Sequence, residues 1–144
     1  MICYEAFREA ESYQNSSYPI DKGLLYNNNL YRSKGEIKIA RILDSIGLEY
    51  KYEPQLFLSD GPVFPDFWVH QRETHNCVIL EYGGMLDSQK YYDHLAYKRN
   101  RYRSSGLREG IDVIFINEYS DLAIEDELIS TLVLSALEQS IVLD

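Results

Sequence analysis

The chain has 144 residues, 45% of them apolar, which is enough for a domain with a real hydrophobic core and too apolar for a disordered chain. No apolar run approaches the ~20 residues needed to cross a bilayer, and the acidic, polar start MICYEAFREAES lacks the basic and apolar regions of a signal peptide, so no membrane partner is expected. The formal charge of -9 argues against nucleic acid until its distribution is read: residues 1–108 hold all 14 Lys and Arg with 14 of the 23 acids, and residues 109–144 hold nine acids and no base. A phosphate ligand responds to local field more than to net charge.

Cys3 and Cys77 are the only cysteines. They form no CxxC pair and, without an export signal, read as reduced thiols of a cytoplasmic protein. Residues 1–31 are expected to form an N-terminal arm, with a short helix from Ile2 to Ser12 followed by a polar stretch rich in Asn and Tyr. Residues 32–144 are expected to form a single domain.

Ser33-Lys34-Gly35-Glu36 has the S-x-x-E form of a capping box, in which Ser and Glu satisfy orphan backbone donors reciprocally. Ile39, Ala40, Leu43 and Ile46 follow at helical spacing, and Gly47 is a natural stop. Glu49–Leu58 reads as an extended segment bent at Pro54, and Ser59–Pro62 as a turn. Val63–Val69 and Cys77–Tyr82 read as the two strands of a hairpin, joined by the polar loop Gln71–Asn76. After Gly83-Gly84 a helix is predicted from Ser88 to Ser104, ending at Gly106. Ile111–Ile116 has the unbroken apolar character of a strand buried on both faces. A last helix is predicted to bury Ile124, Leu128, Leu132 and Ala136. A helix joining two strands of one sheet implies a parallel crossover, so the expected fold is α/β with a mixed central sheet flanked by helices.

Alternation along the hairpin puts Phe64, Asp66 and Trp68 on one face of the first strand, and Cys77, Ile79 and Glu81 on one face of the second. A single strand acid more often points to solvent than into a site. Two carboxylates on adjacent strands repel unless one is protonated or a divalent cation binds between them. Glu36 is explained by the capping box alone, yet it lies on the same helical stripe as Ile39, Ala40 and Leu43, where a carboxylate needs a partner. Lys98 shares a face with Tyr91, Leu95 and Tyr102. Spacing alone does not choose between a lysine that snorkels to solvent and one that reaches the acids. His70, His75 and His94 lack the i, i+4 spacing of a helical zinc pair.

Pro65-Asp66, fourteen intervening residues and Glu81 at a strand end resemble the PD-(D/E)XK motif of restriction-endonuclease-like enzymes. Glu36 matches the helix glutamate many members carry, and the element order over residues 32–117 is similar to their αβββαβ core. A narrower resemblance is to a subgroup with Glu-aromatic/His-x-Gly at the strand end and Tyr, Lys, Tyr and Gly along the next helix; here these are Glu81-Tyr82-Gly83-Gly84, Tyr91, Lys98, Tyr102 and Gly106. The family lysine normally stands where this chain has Gly83, and Lys98 would replace it. Tyr82 stands where His is more usual.

The resemblance implies an Mg²⁺- or Mn²⁺-dependent endonuclease that hydrolyses phosphodiesters, in DNA in preference to RNA. Asp66, Glu81, the backbone carbonyl of Tyr82 and Glu36 would hold the metal, Lys98 would complete the catalytic set, and Lys90, Tyr91, Arg99, Arg101, Tyr102 and Arg103 would contact nucleic acid. Specificity would come from the arm, a homodimer or a partner subunit. The alternatives are an RNA nuclease, or a catalytically silent nuclease-like domain that binds nucleic acid or protein.

Overall fold

The structure is a computed structural model and describes residues 4–84 and 86–143. The helices are α1 (Tyr4–Glu9), α2 (Lys34–Ser45), α3 (Gln89–Ser104) and α4 (Asp126–Leu143). The strands are β1 (Leu24–Tyr26), β2 (Asn29–Tyr31), β3 (Glu49–Tyr52), β4 (Leu56–Leu58), β5 (Gly61–Val63), β6 (Phe67–His70), β7 (Cys77–Gly83) and β8 (Val113–Asn117). The chain is a mixed α/β protein built on a four-stranded sheet of order β3-β6-β7-β8. The first two pairings are antiparallel and β7–β8 is parallel, as the intervening α3 requires.

Alternation along β6 and β7 divides the interior in two. Phe67, Val69, Val78 and Leu80 face α2 and α4 and form the larger core with Ile39, Leu43, Ile129 and Val133. Trp68, Cys77 and Ile79 face the other way, against Phe7 of α1 and Tyr102 of α3. Both faces of the sheet are therefore covered, which is why β7 and β8 are apolar nearly throughout.

Several expectations are corrected in detail. The extended segment at 49–58 is two strands: β3 joins the main sheet, whereas β4 pairs with β5 in a separate hairpin. Pro65 and Asp66 lie between β5 and β6, so Asp66 stands at the entrance of its strand rather than within it. The capping box forms by half. Ser33 Oγ accepts from the Glu36 N–H at 3.2 Å, while the Glu36 carboxylate takes its hydrogen bond from the Ser33 hydroxyl, not from the Ser33 backbone. Gly47, at φ +75, ends α2 as expected.

Residues 4–31 are woven onto the sheet. Phe7 sits in the second core, Tyr13 and Gln14 N–H groups donate to the carbonyls of Tyr52 and Glu53, and β1–β2 closes through Asn27 and Asn28, both left-handed. Asn tolerates that conformation better than most residues, and two in succession make the tight hairpin turn. Ile2, where the first helix was expected to begin, lies outside the described residues. Cys77 is disulfide-bonded, which corrects the expectation of a reduced thiol there, and Cys3 lies outside the described residues. Among the described residues no helix is long and apolar enough to cross a membrane.

The stripe expected inward at the last helix is right for Ala136, which is buried, and for Ile124, which packs against the core just before the helix; Leu128 and Leu132 are instead exposed, and Ile129, Val133 and Leu137 are buried. Leu137→Ala is accordingly expected to cost about 2–5 kcal/mol, and Leu128→Ala about 0.5 kcal/mol or less. Urea unfolding checks the pair; equal losses at the two positions would contradict this packing.

Candidate functional site

Extending the β6–β7 register by one residue beyond Phe67↔Leu80 sets Asp66 opposite Glu81. Both project to the α3 side, because they share parity with Trp68 and Ile79. The Asp66 N–H donates to Glu81 Oε1 at 3.1 Å, and the Tyr82 N–H donates to Asp66 Oδ2 at 2.7 Å. From α3, Lys98 Nζ donates to Glu81 Oε1 and to the Phe64 carbonyl, both at 3.0 Å, and the Tyr102 hydroxyl donates to Glu81 Oε2. Glu81 and Lys98 thus pair directly, and Asp66, just before β6, joins them through its backbone N–H while its carboxylate takes the Tyr82 N–H.

Glu81 is 1% exposed and would be untenable there as an unpartnered anion. Lys98 supplies the countercharge. Burial works against the Lys98 ammonium, but Glu81 and Asp66 outweigh it and hold the lysine above its ordinary value. Burial and the neighbouring Glu81 push the Asp66 carboxyl well above the usual aspartate range. Burial likewise raises the Tyr102 hydroxyl, with Glu81 adding to it, so Tyr102 stays a neutral donor.

Glu36 reaches the same place from the other side of the sheet. It is buried at the start of α2, where it accepts from the Ser33 hydroxyl at 3.0 Å and from the Tyr52 hydroxyl at 3.1 Å. Burial raises its carboxyl against those two hydrogen bonds. Glu36, Asp66, Glu81 and Lys98 all line one cavity of about 590 Å³ at the end of β7, together with Arg32 and His94. The three carboxylates do not close on one point: among the described residues no three His, Cys, Asp or Glu side chains are grouped to hold a metal.

Position 83 is tightly surrounded: a Cβ there would stand 3.1 Å from both Leu95 Cδ2 and Asn117 Oδ1, so those side-chain ends would have to shift by a few tenths of an ångström to admit one. Leu95 lies one turn before Lys98 on α3. Tyr82 points to the opposite face, where its hydroxyl donates to Glu118 at 2.8 Å. A Cβ on Gly35 would overlap the Tyr82 ring, and one on Gly84 would lie 2.8 Å from it. Glu118 also accepts from Lys38 Nζ at 3.0 Å and from the Ile124 N–H at 2.6 Å. Burial opposes the Glu118 charge, but these donors bring its carboxyl below the ordinary value. Sequence reasoning missed Glu118, Arg32 and Gly35. For Gly35 and Glu118 the signals were a glycine in the first turn of a helix capped by Ser33 and an acid directly after an apolar strand, and neither points to a site on its own.

The residues expected to contact nucleic acid fall into different settings. Lys90, Tyr91 and Arg103 are exposed, and Tyr91 lines the cavity. Tyr102 is buried and serves Glu81 instead. Arg101 clamps the β4–β5 turn through Asp60 and the carbonyls of Gly61 and Pro62. Arg99 lies over the Phe115 ring at 4.5 Å and pairs with Glu109 at 3.3 Å. His70 Nε2 and His75 Nδ1 meet at 3.2 Å at the far end of β6, away from the cavity.

The donor set suits a hard cation of the Mg²⁺ type. Such an ion uses one or two carboxylates and completes its shell with water and phosphate oxygens. Asp66 keeps acceptor capacity beyond its one hydrogen bond from Tyr82, and Glu81 retains one of the roughly four lone-pair sites of a carboxylate.

Two expectations follow from this geometry. An Asp66 carboxyl that ionises less readily in the folded than in the unfolded chain costs stability as pH rises from the ordinary aspartate range through its raised folded value. Asp66→Asn keeps the acceptor for the Tyr82 N–H and is expected to raise the melting temperature of metal-free protein at neutral pH by roughly 2–5 °C; a lower melting temperature would contradict the electrostatic account. Gly→Ala within a helix normally stabilises by about 1 kcal/mol. At Gly35 the Tyr82 ring reverses the sign, with an expected loss of about 1–3 kcal/mol. A double-mutant cycle with Tyr82→Ala checks the coupling, since additive losses would show that the two residues do not collide. No protein-family model matches the chain, and no curated protein matches its sequence.

Proposed function

We propose that the chain is a metal-dependent endonuclease of the PD-(D/E)XK type with a restriction-endonuclease-like αβββαβ core, cutting DNA in preference to RNA. The observation that carries this reading is the meeting of Asp66, Glu81 and Lys98, from a strand entrance, a strand end and a separate helix, at a cavity that Glu36 also lines.

In this reading Asp66, Glu81 and the Tyr82 carbonyl would hold Mg²⁺ or Mn²⁺, with Glu36 contributing through water; the ion, when bound, would supply an acidified water and countercharge for the phosphate. Glu81 and Asp66 favour the charged form of Lys98, and this reading uses it as a cation. Its ammonium orients the attacking water or faces the phosphate oxygens as negative charge accumulates there. Water adds across the phosphorus–oxygen bond, and the departing oxygen leaves with a proton. Tyr102 and the Asp66 N–H hold Glu81 in place during this exchange. Tyr82, packed against Gly35 and Gly84 and hydrogen-bonded to Glu118, fixes the backbone whose carbonyl would serve as a ligand.

A second reading is favoured by the crowding of Glu81. Its two oxygens already take three hydrogen bonds in the absence of a cation, as in a nuclease-like domain that has lost catalysis and only binds. Incubation with plasmid and with RNA under Mg²⁺, Mn²⁺ and EDTA separates the two. Metal-dependent cleavage is expected, reduced about 100-fold or more by Asp66→Ala, Glu81→Ala or Lys98→Ala. Wild-type protein is also expected to melt higher with increasing Mn²⁺, and Glu81→Ala should abolish that rise. A flat Mn²⁺ response with no cleavage in any metal would leave the silent domain as the answer.

A further inference from the structure

A second cavity, of about 550 Å³, opens between the N-terminal segment and the β1–β2 turn. It lies next to the first, and Arg32 lines both. Its remaining wall is mainly apolar, from Pro19, Ile20, Leu30 and the rings of Tyr13 and Tyr18, with the side-chain amides of Asn15 and Asn28 and the Glu53 carboxylate among it.

The wall is built, not incidental. Tyr13 is pinned through its N–H to the Tyr52 carbonyl at 2.7 Å and through its hydroxyl to the Leu30 carbonyl at 2.9 Å. Its ring stands edge-on to Tyr52, with centroids 5.5 Å apart. Asn28 is held at the hairpin turn with φ +64. Arg32 is fixed by Glu53 through Nε at 2.5 Å and Nη2 at 3.0 Å, and by the Tyr18 carbonyl through Nη2. Glu53 also lines the cavity and is paired with Arg32, so the two together present little net charge and leave the guanidinium edge not held by Glu53 as the donor to a phosphate. Tyr18 is left with its ring 69% exposed at the rim.

The chemistry of this wall is specific. Tyrosine faces stack on nucleobases, primary amides offer paired donors and acceptors to base edges, and an oriented guanidinium receives a phosphate. A volume of about 550 Å³ falls within the range of small-ligand sites, large enough for a nucleotide. Bases within a duplex are stacked on one another and do not present their faces to a pocket; an unpaired base does.

We propose that this cavity holds one unpaired nucleotide of the substrate strand beside the scissile phosphate, with Arg32 bridging to the cleavage site and Tyr18 stacking on the base. The assignment rests on the nuclease reading for the position of the scissile phosphate. It makes the preferred substrate a strand with unpaired bases next to the cut, such as a single strand or a flap, over a fully paired duplex.

The test is equilibrium binding in EDTA, where nothing is cut. The probes are a short single-stranded DNA containing 2-aminopurine and the blunt duplex of the same sequence. Wild-type protein is expected to bind the single strand more tightly and to quench the 2-aminopurine. Tyr18→Ala should weaken single-strand binding about tenfold or more, lose the quench, and leave duplex affinity within about twofold of wild type, as expected of a stacking contact that paired bases do not make. Tyr18→Trp should restore both signals. Tyr18 is exposed, so all three proteins should melt alike. Unchanged single-strand affinity in Tyr18→Ala, or an equal loss on both probes, overturns the proposal, as does a wild-type preference for the duplex. Cleavage by wild type under Mn²⁺ is scored separately. Cutting without a tyrosine effect removes this subsite alone, whereas a tyrosine effect without cutting removes the nuclease reading and keeps a strand-binding site.

Discussion

Glu81 ends a strand whose other residues are almost all apolar, and it has nearly no contact with water. A carboxylate in that position survives only with a countercharge and hydrogen bonds, and both arrive from α3 as Lys98 and Tyr102. Those two residues are separated by one helical turn, so one face of one helix meets the whole requirement. The consequence reaches across the sheet. For Lys98 to approach Glu81, α3 must lie close over β7, and Leu95 then stands 3.1 Å from where a Cβ at position 83 would lie. The tight surroundings of position 83 and the placing of Lys98 are two results of one packing arrangement.

The other face of β7 is governed by Tyr82. Its ring lies where a side chain on Gly35 or Gly84 would stand, and its hydroxyl meets Glu118, which also binds Lys38 and the backbone at Ile124. The start of α2, the end of β7 and the approach to α4 are thereby tied together behind the cavity. Glu36 is held by Ser33 and Tyr52 within this frame. The carboxylates on the two sides of the sheet thus belong to separate hydrogen-bond networks that share one opening.

The cationic side chains divide by role more than their count implies. Arg101 and Arg99 spend their charge on Asp60 and Glu109 and brace surface elements. Arg32 and Lys98 are the cations at the cavity itself, each oriented by a buried glutamate. In the nuclease reading, a guanidinium or ammonium oriented in this way would meet a phosphate without first losing side-chain freedom.

Much of this was legible in the chain alone. Alternation along 63–69 and 77–82 grouped Asp66 with Trp68 and Glu81 with Ile79 on one face of each strand, helical spacing put Lys98 in line with Leu95 and Tyr102, and the helix between two apolar runs required a parallel crossover. These are local periodicities, and backbone geometry dictates them wherever the elements land. What local pattern cannot contain is which face of an element meets which neighbour. The buried stripe of α4 was misread at Leu128 and Leu132 because they are as apolar as Val133 and Leu137, and only the sheet beneath selects between them. Tyr102 is an anchor for Glu81 and not a nucleic-acid contact because α3 is rotated to bury it. The importance of Gly35 depends on an aromatic ring 47 positions away in the sequence. Arg32 joins two cavities because the N-terminal segment folds back along β3. The sequence by itself determined the elements and the acids they carry, since those follow from spacing along one chain. The tertiary structure alone decided which charges are paired, which glycines are obligatory and where the cavities open, because each depends on close approach between residues distant in sequence.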